Sequence, residues 1–530
     1  MVLFVFLFFL KLYNTNGCST IAVGRLATTN NSVLIAHSND GNGDVAGNIN
    51  IVDAATYDED SNRTTSHGSI PQVRSTYKYF TEGYAIQNEH QVSLGESTCV
   101  GVYDDIASSG VLNIVDLSQI CLERATTALQ CVQVMGSLAE TYGYNDAAES
   151  LFVGDRYDIY LFHVLKDSSG SSAIWAAKQI DPNHVSTVMN AFVLDEELDL
   201  TSSNFASEAA KLTDATTASF KKTFSGINEE TCPYTSGRRM WAVLNALQPT
   251  QEYNPYYDNY LDCGYPLSFV PDFKINSTLV TYLMRNTYEN TPFDMATVPK
   301  LSGGPIYSPS RWATSSTVNN QKVCWERPIG TFRSIVSLIS ETRPTSEEGI
   351  IWFAPHSALT SEYAPFMTSM THLPKGYTSN SLNDLNRNVS AYWAFRYLYQ
   401  VCEIKSYLSL QYDVKNAQAK ARSRSLEIIQ EIDKGNFDVT TITQTLSDNA
   451  KRIVSEFWTL SDTIVMKYAD GWCSGDCPDG VQREIGYDQV WLDAVYEPPV
   501  TRSKRKKAVV RSSSPPTTKM RRSGKRGDSS

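Results

Sequence analysis

The chain opens on a short apolar run, Val2–Leu10, followed by a polar stretch that ends at Gly17-Cys18. Two β-rich runs come next, Ser19–Gly24 (STIAVG) and Val33–His37. The turn-prone cluster Thr28-Thr29-Asn30-Asn31-Ser32 lies between them, and that pattern predicts a hairpin. Ser38–Asp44 is a polar loop, and Tyr84–Val92 is strand-like with its polar residues at the end. Over Asp116–Tyr142 the apolar positions Ile120, Ala128, Val132, Met135 and Leu138 form a stripe. That spacing predicts one long amphipathic helix, with Asp116-x-x-Gln119 as capping box and Gly143 as C-cap. Ile159–Val164 and Ser172–Lys178 flank Asp167-Ser168-Ser169-Gly170 and predict a second hairpin, with Val185–Val193 extended beyond it. Helical pieces are expected at Ala206–Leu212 and Arg239–Leu247, strand–turn–strand over 330–355, and helix over much of 389–468. No linker interrupts residues 18–480, which therefore read as one catalytic-sized α+β unit, followed by a linker over 481–500.

Composition adds a compartment. Thr15 and Gly17 are the small residues a signal peptidase requires before its cut, so 1–17 reads as a signal peptide cleaved between Gly17 and Cys18. The nine-residue apolar run Val2–Leu10 is too short to span a bilayer, so no stable membrane insertion is expected after cleavage. The destination is then the secretory pathway, a lysosome-like compartment or the exterior. The sequons at Asn30, Asn62, Asn276 and Asn388 fit a glycoprotein of that route. Ten cysteines are present; Cys473-Ser-Gly-Asp-Cys477 reads as a local disulfide, and Cys121 and Cys131 as buried helix residues. Charge is divided unevenly. Residues 501–530 hold eleven Lys/Arg and one acid and read as a disordered basic tail, leaving a body of 35 bases and 56 acids. An acidic body argues against nucleic acid as partner.

Four chemistries compete for the site. The seven histidines (37, 67, 90, 163, 184, 356 and 372) include no helical i, i+4 pair, which sets metal catalysis aside. No G-x-S-x-G elbow supports a serine hydrolase. The local signatures of conventional Cys–His proteases are absent. An N-terminal nucleophile remains. If the chain is cut before Cys18, one residue carries both a thiol and a free α-amine, with ordinary pKa values of about 8.5 and about 7.7–8.0. The amine can then take the thiol proton, and the residue supplies its own general base.

The start Cys18-Ser19-Thr20-Ile21-Ala22-Val23-Gly24 resembles the mature N-terminus of the dipeptidase A/secernin family of N-terminal-nucleophile cysteine peptidases. The resemblance continues through Ile35-Ala36-His37-Ser38-Asn39-Asp40, Asn88-Glu89-His90-Gln91-Val92 and Gly95-Glu96-Ser97-Thr98. Leu122–Ala125, Tyr142-Gly143, Trp175–Ala177, Glu326-Arg327, Trp352–Ala354 and Ser390–Trp393 follow in the family's order, so it spans about residues 18–435. It implies a four-layer αββα sandwich with the nucleophile opening a central strand, and hydrolysis of dipeptide amides without a metal or organic cofactor.

The resemblance also implies roles. Cys18 attacks the carbonyl, and its amine moves the proton. Asp40 matches an Asp that orients the amine, and His37 stands where many relatives have Arg. Asn88 matches an oxyanion donor, while Asn190 and Arg238 are counterparts of a second Asn and a later Arg. Two other functions stay open: hydrolysis of another linear amide, such as an N-acyl amine, and a catalytically silent secernin-like interaction protein. Dipeptide preference and oligomeric state are not legible.

Overall fold

In a computed structural model of the chain, residues 17–41, 45–195, 204–207, 219–226, 234–257, 264–296, 308–310, 315–318, 321–324, 326–387, 389–405, 409–435, 437–469 and 472–477 are described. Contacts group the chain into Met1–Ile485 and Gly486–Ser530, and all described residues belong to the first unit. The expected helix at Ala206–Leu212, the linker and the basic tail lie outside the described residues, apart from Ala206 and Ser207.

Two antiparallel sheets form the centre. The strands of the first are β1 (Ser19–Val23), β2 (Val33–Asp40), β10 (Val185–Val188), β12 (Ser268–Phe269), β13 (Ser334–Thr342), β14 (Ile350–Ala354) and β15 (Ala364–Met367), in the spatial order β12-β10-β1-β2-β13-β14-β15. The second runs β11-β9-β8-β7-β6-β5-β4-β3. Its strands are β3 (Asn50–Val52), β4 (Tyr79–Thr81), β5 (Ala85–Asn88), β6 (Ser93–Thr98), β7 (Glu149–Gly154), β8 (Ile159–Lys166), β9 (Ala173–Ile180) and β11 (Asn204–Ala206). Both predicted hairpins form, β1 with β2 and β8 with β9.

β1 sits inside its sheet, between β10 and β2. All five of its residues are buried, so its small and β-branched side chains have no solvent face to serve. The two sheets touch through β1, β2 and β6. At Gly95 on β6 a Cβ would press into Ile35 and Thr20, so glycine is what lets the sheets close.

The predicted long helix over 116–142 is two helices, α1 (Ile114–Arg124) and α2 (Ala128–Tyr142). The cause is local capping. Asn113, not Asp116, is the N-cap of α1 and shares a capping box with Asp116; Thr127 then caps α2 through Gln130 N–H. The break lets Cys121 and Cys131 meet as a disulfide across the helix pair. Cys473 and Cys477 are bonded as their spacing predicts. The pair α1/α2 packs with Leu94, Leu151, Phe162 and Trp175 of the second sheet in one apolar core. A larger core joins residues of both sheets to α3 (Gly237–Leu247), α4 (Ser277–Met284), α5 (Ala391–Lys405), α6 (Lys415–Lys434) and α7 (Val439–Lys467). Mixed helix and antiparallel sheet bears out the α+β class. Among the described residues no helix is long and apolar enough to cross a membrane.

Candidate active site

Cys18 stands immediately before β1 and is 1 % exposed. The register Ser19↔Ser38 fixes it opposite the end of β2, and Ser19 N–H donates to Ser38 Oγ at 3.2 Å. The head of β1 is thus tied into a sheet rather than left to fray. The Cys18 carbonyl accepts from Arg239 Nη1 at 3.0 Å and from Ser97 Oγ at 3.4 Å. Its thiol is pushed well above the usual range by burial, and further by the charges of Glu96 and Asp40; the backbone N–H of Asp40 opposes that. The thiol is therefore protonated at neutral pH and needs a base to become a nucleophile.

β2 brings His37 to the same spot. His37 Nε2 lies 3.4 Å from Glu96 Oε2, with both side chains 2 % exposed. Burial works against a charge on His37, but hydrogen bonding to Glu96 and that carboxylate's charge outweigh it, and the imidazole pKa is raised. Glu96 Oε1 accepts from Thr98 Oγ1 at 2.9 Å. Burial penalises the Glu96 charge, yet hydrogen bonds from His37 and Glu149 hold its pKa below the ordinary value. Burial, and then the charge of Glu96, push Glu149 well up. The pair thus holds a proton on Glu149 and a charge on Glu96. Cys18 Sγ, a ring nitrogen of His37 and a carboxylate oxygen of Glu96 all lie within 4.8 Å of one another.

Asp40, also buried, closes the far side. Its Oδ1 accepts from Ser334 Oγ at 2.5 Å, and its Oδ2 pairs with Arg327. Arg327 and Asn190 also pack on Gly17, leaving no room there for a Cβ. Gly17 therefore occupies a slot between a guanidinium and an amide. Asn190 has φ +64°, a left-handed conformation that Asn tolerates better than most residues. It is held there by Nδ2 donating to Thr98 O at 2.7 Å and by Oδ1 accepting from Arg239 Nη2 at 2.7 Å.

Four of the six residues expected from the sequence, Cys18, His37, Asp40 and Asn190, are brought together. Arg238 and Asn88 are not. The α3 residue that reaches Cys18 is Arg239, fully buried; its neighbour Arg238 turns about 100° around the helix, as successive residues do. Arg238 lies 3.5 Å over the Phe293 ring and pairs with Glu326 at 3.2 Å. Asn88 spends its whole amide on the backbone. Nδ2 donates to Leu122 O at 3.0 Å and Ala125 O at 2.8 Å, while Oδ1 accepts from His90 N at 3.0 Å and Val92 N at 2.9 Å. No N–H is left over for an oxyanion. Asn88→Ala is accordingly expected to cost about 2–4 kcal/mol of stability through the orphaned groups, with kcat per folded molecule changed less than about twofold. A loss of about a hundredfold in a folded variant, the scale of a lost oxyanion donor, would restore the role.

The sequence reading assigned no role to Glu96, Arg239, Arg327 or Glu149. Glu96 and Arg327 stood within the matched motifs, and Arg239 adjoined a named residue. Glu149 carried no signal at all, since its burial beside Glu96 is a property of strand pairing.

The buried carboxyls also set a pH dependence. Glu149 holds its proton more tightly folded than unfolded, and so does Glu82, raised to about 7 by burial. Such groups cost nothing below the ordinary glutamate value of about 4.3 and destabilise progressively as pH climbs past it. Glu149→Gln mimics the protonated acid. Its melting temperature should exceed that of the parent by a margin that widens from pH 5 to pH 8, by on the order of a few °C. A margin independent of pH in thermal unfolding would contradict the assignment.

The search of curated proteins gives no match to this chain. The family model described as Peptidase family C69 matches residues 17–420, a span that begins one residue before Cys18 and includes every residue of the cluster. The chain belongs to Peptidase family C69, the dipeptidase A/secernin family of cysteine peptidases.

Proposed function

We propose that the protein is a cysteine-type dipeptidase in which Cys18, freed by cleavage of the Gly17–Cys18 bond, is both nucleophile and base. The observation that carries this reading is the pinning of Cys18 at the head of a central strand, its thiol protonated and beside acid–base partners. The two sheets and their helices suit the four-layer αββα sandwich of N-terminal-nucleophile hydrolases.

The new α-amine would lie beside the slot that Gly17 now fills between Arg327 and Asn190, with Asp40 close by. The amine takes the Sγ proton as sulfur attacks the peptide carbonyl, and the resulting ammonium finds Asn190 Oδ1 as acceptor and Asp40 as counter-charge. The ammonium then protonates the leaving amine. Water cleaves the thioester and regenerates the thiol. Arg239 holds the Cys18 carbonyl still throughout, which keeps sulfur and amine in attack geometry.

Family membership favours dipeptides over acyl amides. The two disulfides among the described residues support an oxidising route, consistent with a secreted or lysosome-like destination. The test is a panel of free dipeptides, N-acetylated dipeptides and acyl amides, run on protein whose N-terminus has been sequenced. Free dipeptides should be hydrolysed fastest. Equal or faster turnover of acyl amides would sink the dipeptidase reading, and turnover by a chain still carrying Gly17 would sink the self-base mechanism.

A further inference from the structure

We propose that Cys18, His37 and Glu96 form a binding site for a divalent cation of the zinc type, which caps the nucleophile. Thiolate, imidazole and carboxylate are the donor types that zinc takes, and the three donor atoms already converge within 4.8 Å of one another. The His37 Nε2 to Glu96 Oε2 separation of 3.4 Å matches the edge of a tetrahedron whose bonds are about 2.0–2.1 Å. The sulfur, within 4.8 Å of both, has to move closer to complete the face.

A second observation points the same way. The buried His37 Nε2 and Glu96 Oε2 are held face to face at 3.4 Å as an ion pair. A cation between them would replace that pairing with two metal bonds. Glu96 is braced by Thr98 Oγ1 at 2.9 Å, an outer contact that fixes the ligating carboxylate. Magnesium and calcium are disfavoured, since they demand six or more oxygen donors and the site offers sulfur and nitrogen.

Cleavage before Cys18 completes the set. The α-amine and thiol of one cysteine close a five-membered chelate on a single metal ion, so the processed chain offers four donors. A metal held there occupies both the nucleophile and its base. Zinc binding rests on the geometry alone; the consequence for catalysis rests on the proposed function.

The experiment titrates zinc into chelator-stripped, N-terminally verified protein against a chromophoric indicator, and follows alkylation of the Cys18 peptide by mass spectrometry. One zinc ion per chain is expected, with Cys18 labelling slowed at least about tenfold and the buried Cys99 and Cys402 serving as internal controls. Magnesium should do neither. The isosteric Glu96→Gln and the variant His37→Ala should each weaken zinc at least about tenfold, with circular dichroism confirming their fold. Absence of stoichiometric zinc binding, or binding untouched by both substitutions, overturns the proposal. A chain that binds zinc in this way yet hydrolyses no dipeptide removes the proposed function and leaves the metal site standing.

Discussion

Cys18→Ala is expected to reduce dipeptide hydrolysis by at least about 10³-fold, to the level of residual binding effects, with the fold retained. Removing a nucleophile that acts as a unit with its base commonly costs up to about 10⁶ in kcat. The fold should survive because Arg239 and Ser97 hold the Cys18 carbonyl, not its thiol. The β1 register and the hydrogen bond of Ser19 to Ser38 are likewise independent of sulfur. The same loss is expected in a chain that keeps Cys18 but retains Gly17. An amide nitrogen has no basic lone pair, and the buried thiol, raised by its surroundings, does not ionise unaided. Cys18→Ala and the Gly17-retaining chain therefore separate two requirements, sulfur and processing. In the processed parent, activity should rise with pH as the α-amine loses its proton, on a limb near its ordinary value of about 7.7–8.0. Steady-state hydrolysis of one free dipeptide, with intact mass checked for each form, measures all three. Activity in the Gly17-retaining chain at the level of the processed one would assign the base elsewhere, with His37 first in line.

The hairpin that holds Cys18 was legible in the sequence because it is local. STIAVG, a polar turn and VLIAH specify strand, turn and strand without reference to any distant residue. Cys473 and Cys477 were legible for the same reason. The helix over 116–142 was misread as continuous because its apolar stripe continues in phase across the break. Asn113 and Thr127 stop it by hydrogen bonding, which periodicity does not register. Asn88 shows the complementary limit: a motif match places a residue in order along the chain but not in space. Here the amide closes a turn between two strands and anchors the end of α1, so its four bonds are structural. Glu96 and Glu149 lie on neighbouring strands, and each is ordinary in its own stretch of sequence. Their chemistry arises only when pairing buries two carboxyls side by side, with His37 arriving from the other sheet.

Arg239→Met should be nearly as damaging as loss of the nucleophile, by a different route. The guanidinium is fully buried and bonds the Cys18 carbonyl and Ser19 Oγ at 3.0 Å, Met189 O at 3.2 Å and Asn190 Oδ1 at 2.7 Å. One fork thus joins Cys18, the next residue, Ser19 of β1, and the left-handed Asn190. Burial, and then the neighbouring Arg327, lower its pKa to about 9, still high enough to keep it charged at neutral pH. Met preserves most of the stem but none of the donors, so these four acceptors and the Thr235 carbonyl, which accepts from Nε at 2.7 Å, lose a partner at once. Breaking a buried charged contact of this kind costs about 3–5 kcal/mol, and a misplacement of about 1 Å at a nucleophile costs about a hundredfold in rate. The expected result is a urea midpoint shifted well down and kcat per folded molecule reduced at least about a hundredfold. Arg239→Lys should recover part of the stability and little of the rate, because an ammonium cannot span the four acceptors as a planar fork does. Arg238→Met is the decisive comparison. Its guanidinium packs on Phe293, Tyr234 and Tyr256 and touches no atom of Cys18 in the contacts described. It should change kcat far less than Arg239→Met does. Were the order reversed, the arginine read from sequence order would be the functional one, and the clamp on the Cys18 carbonyl would be only a brace for the strand.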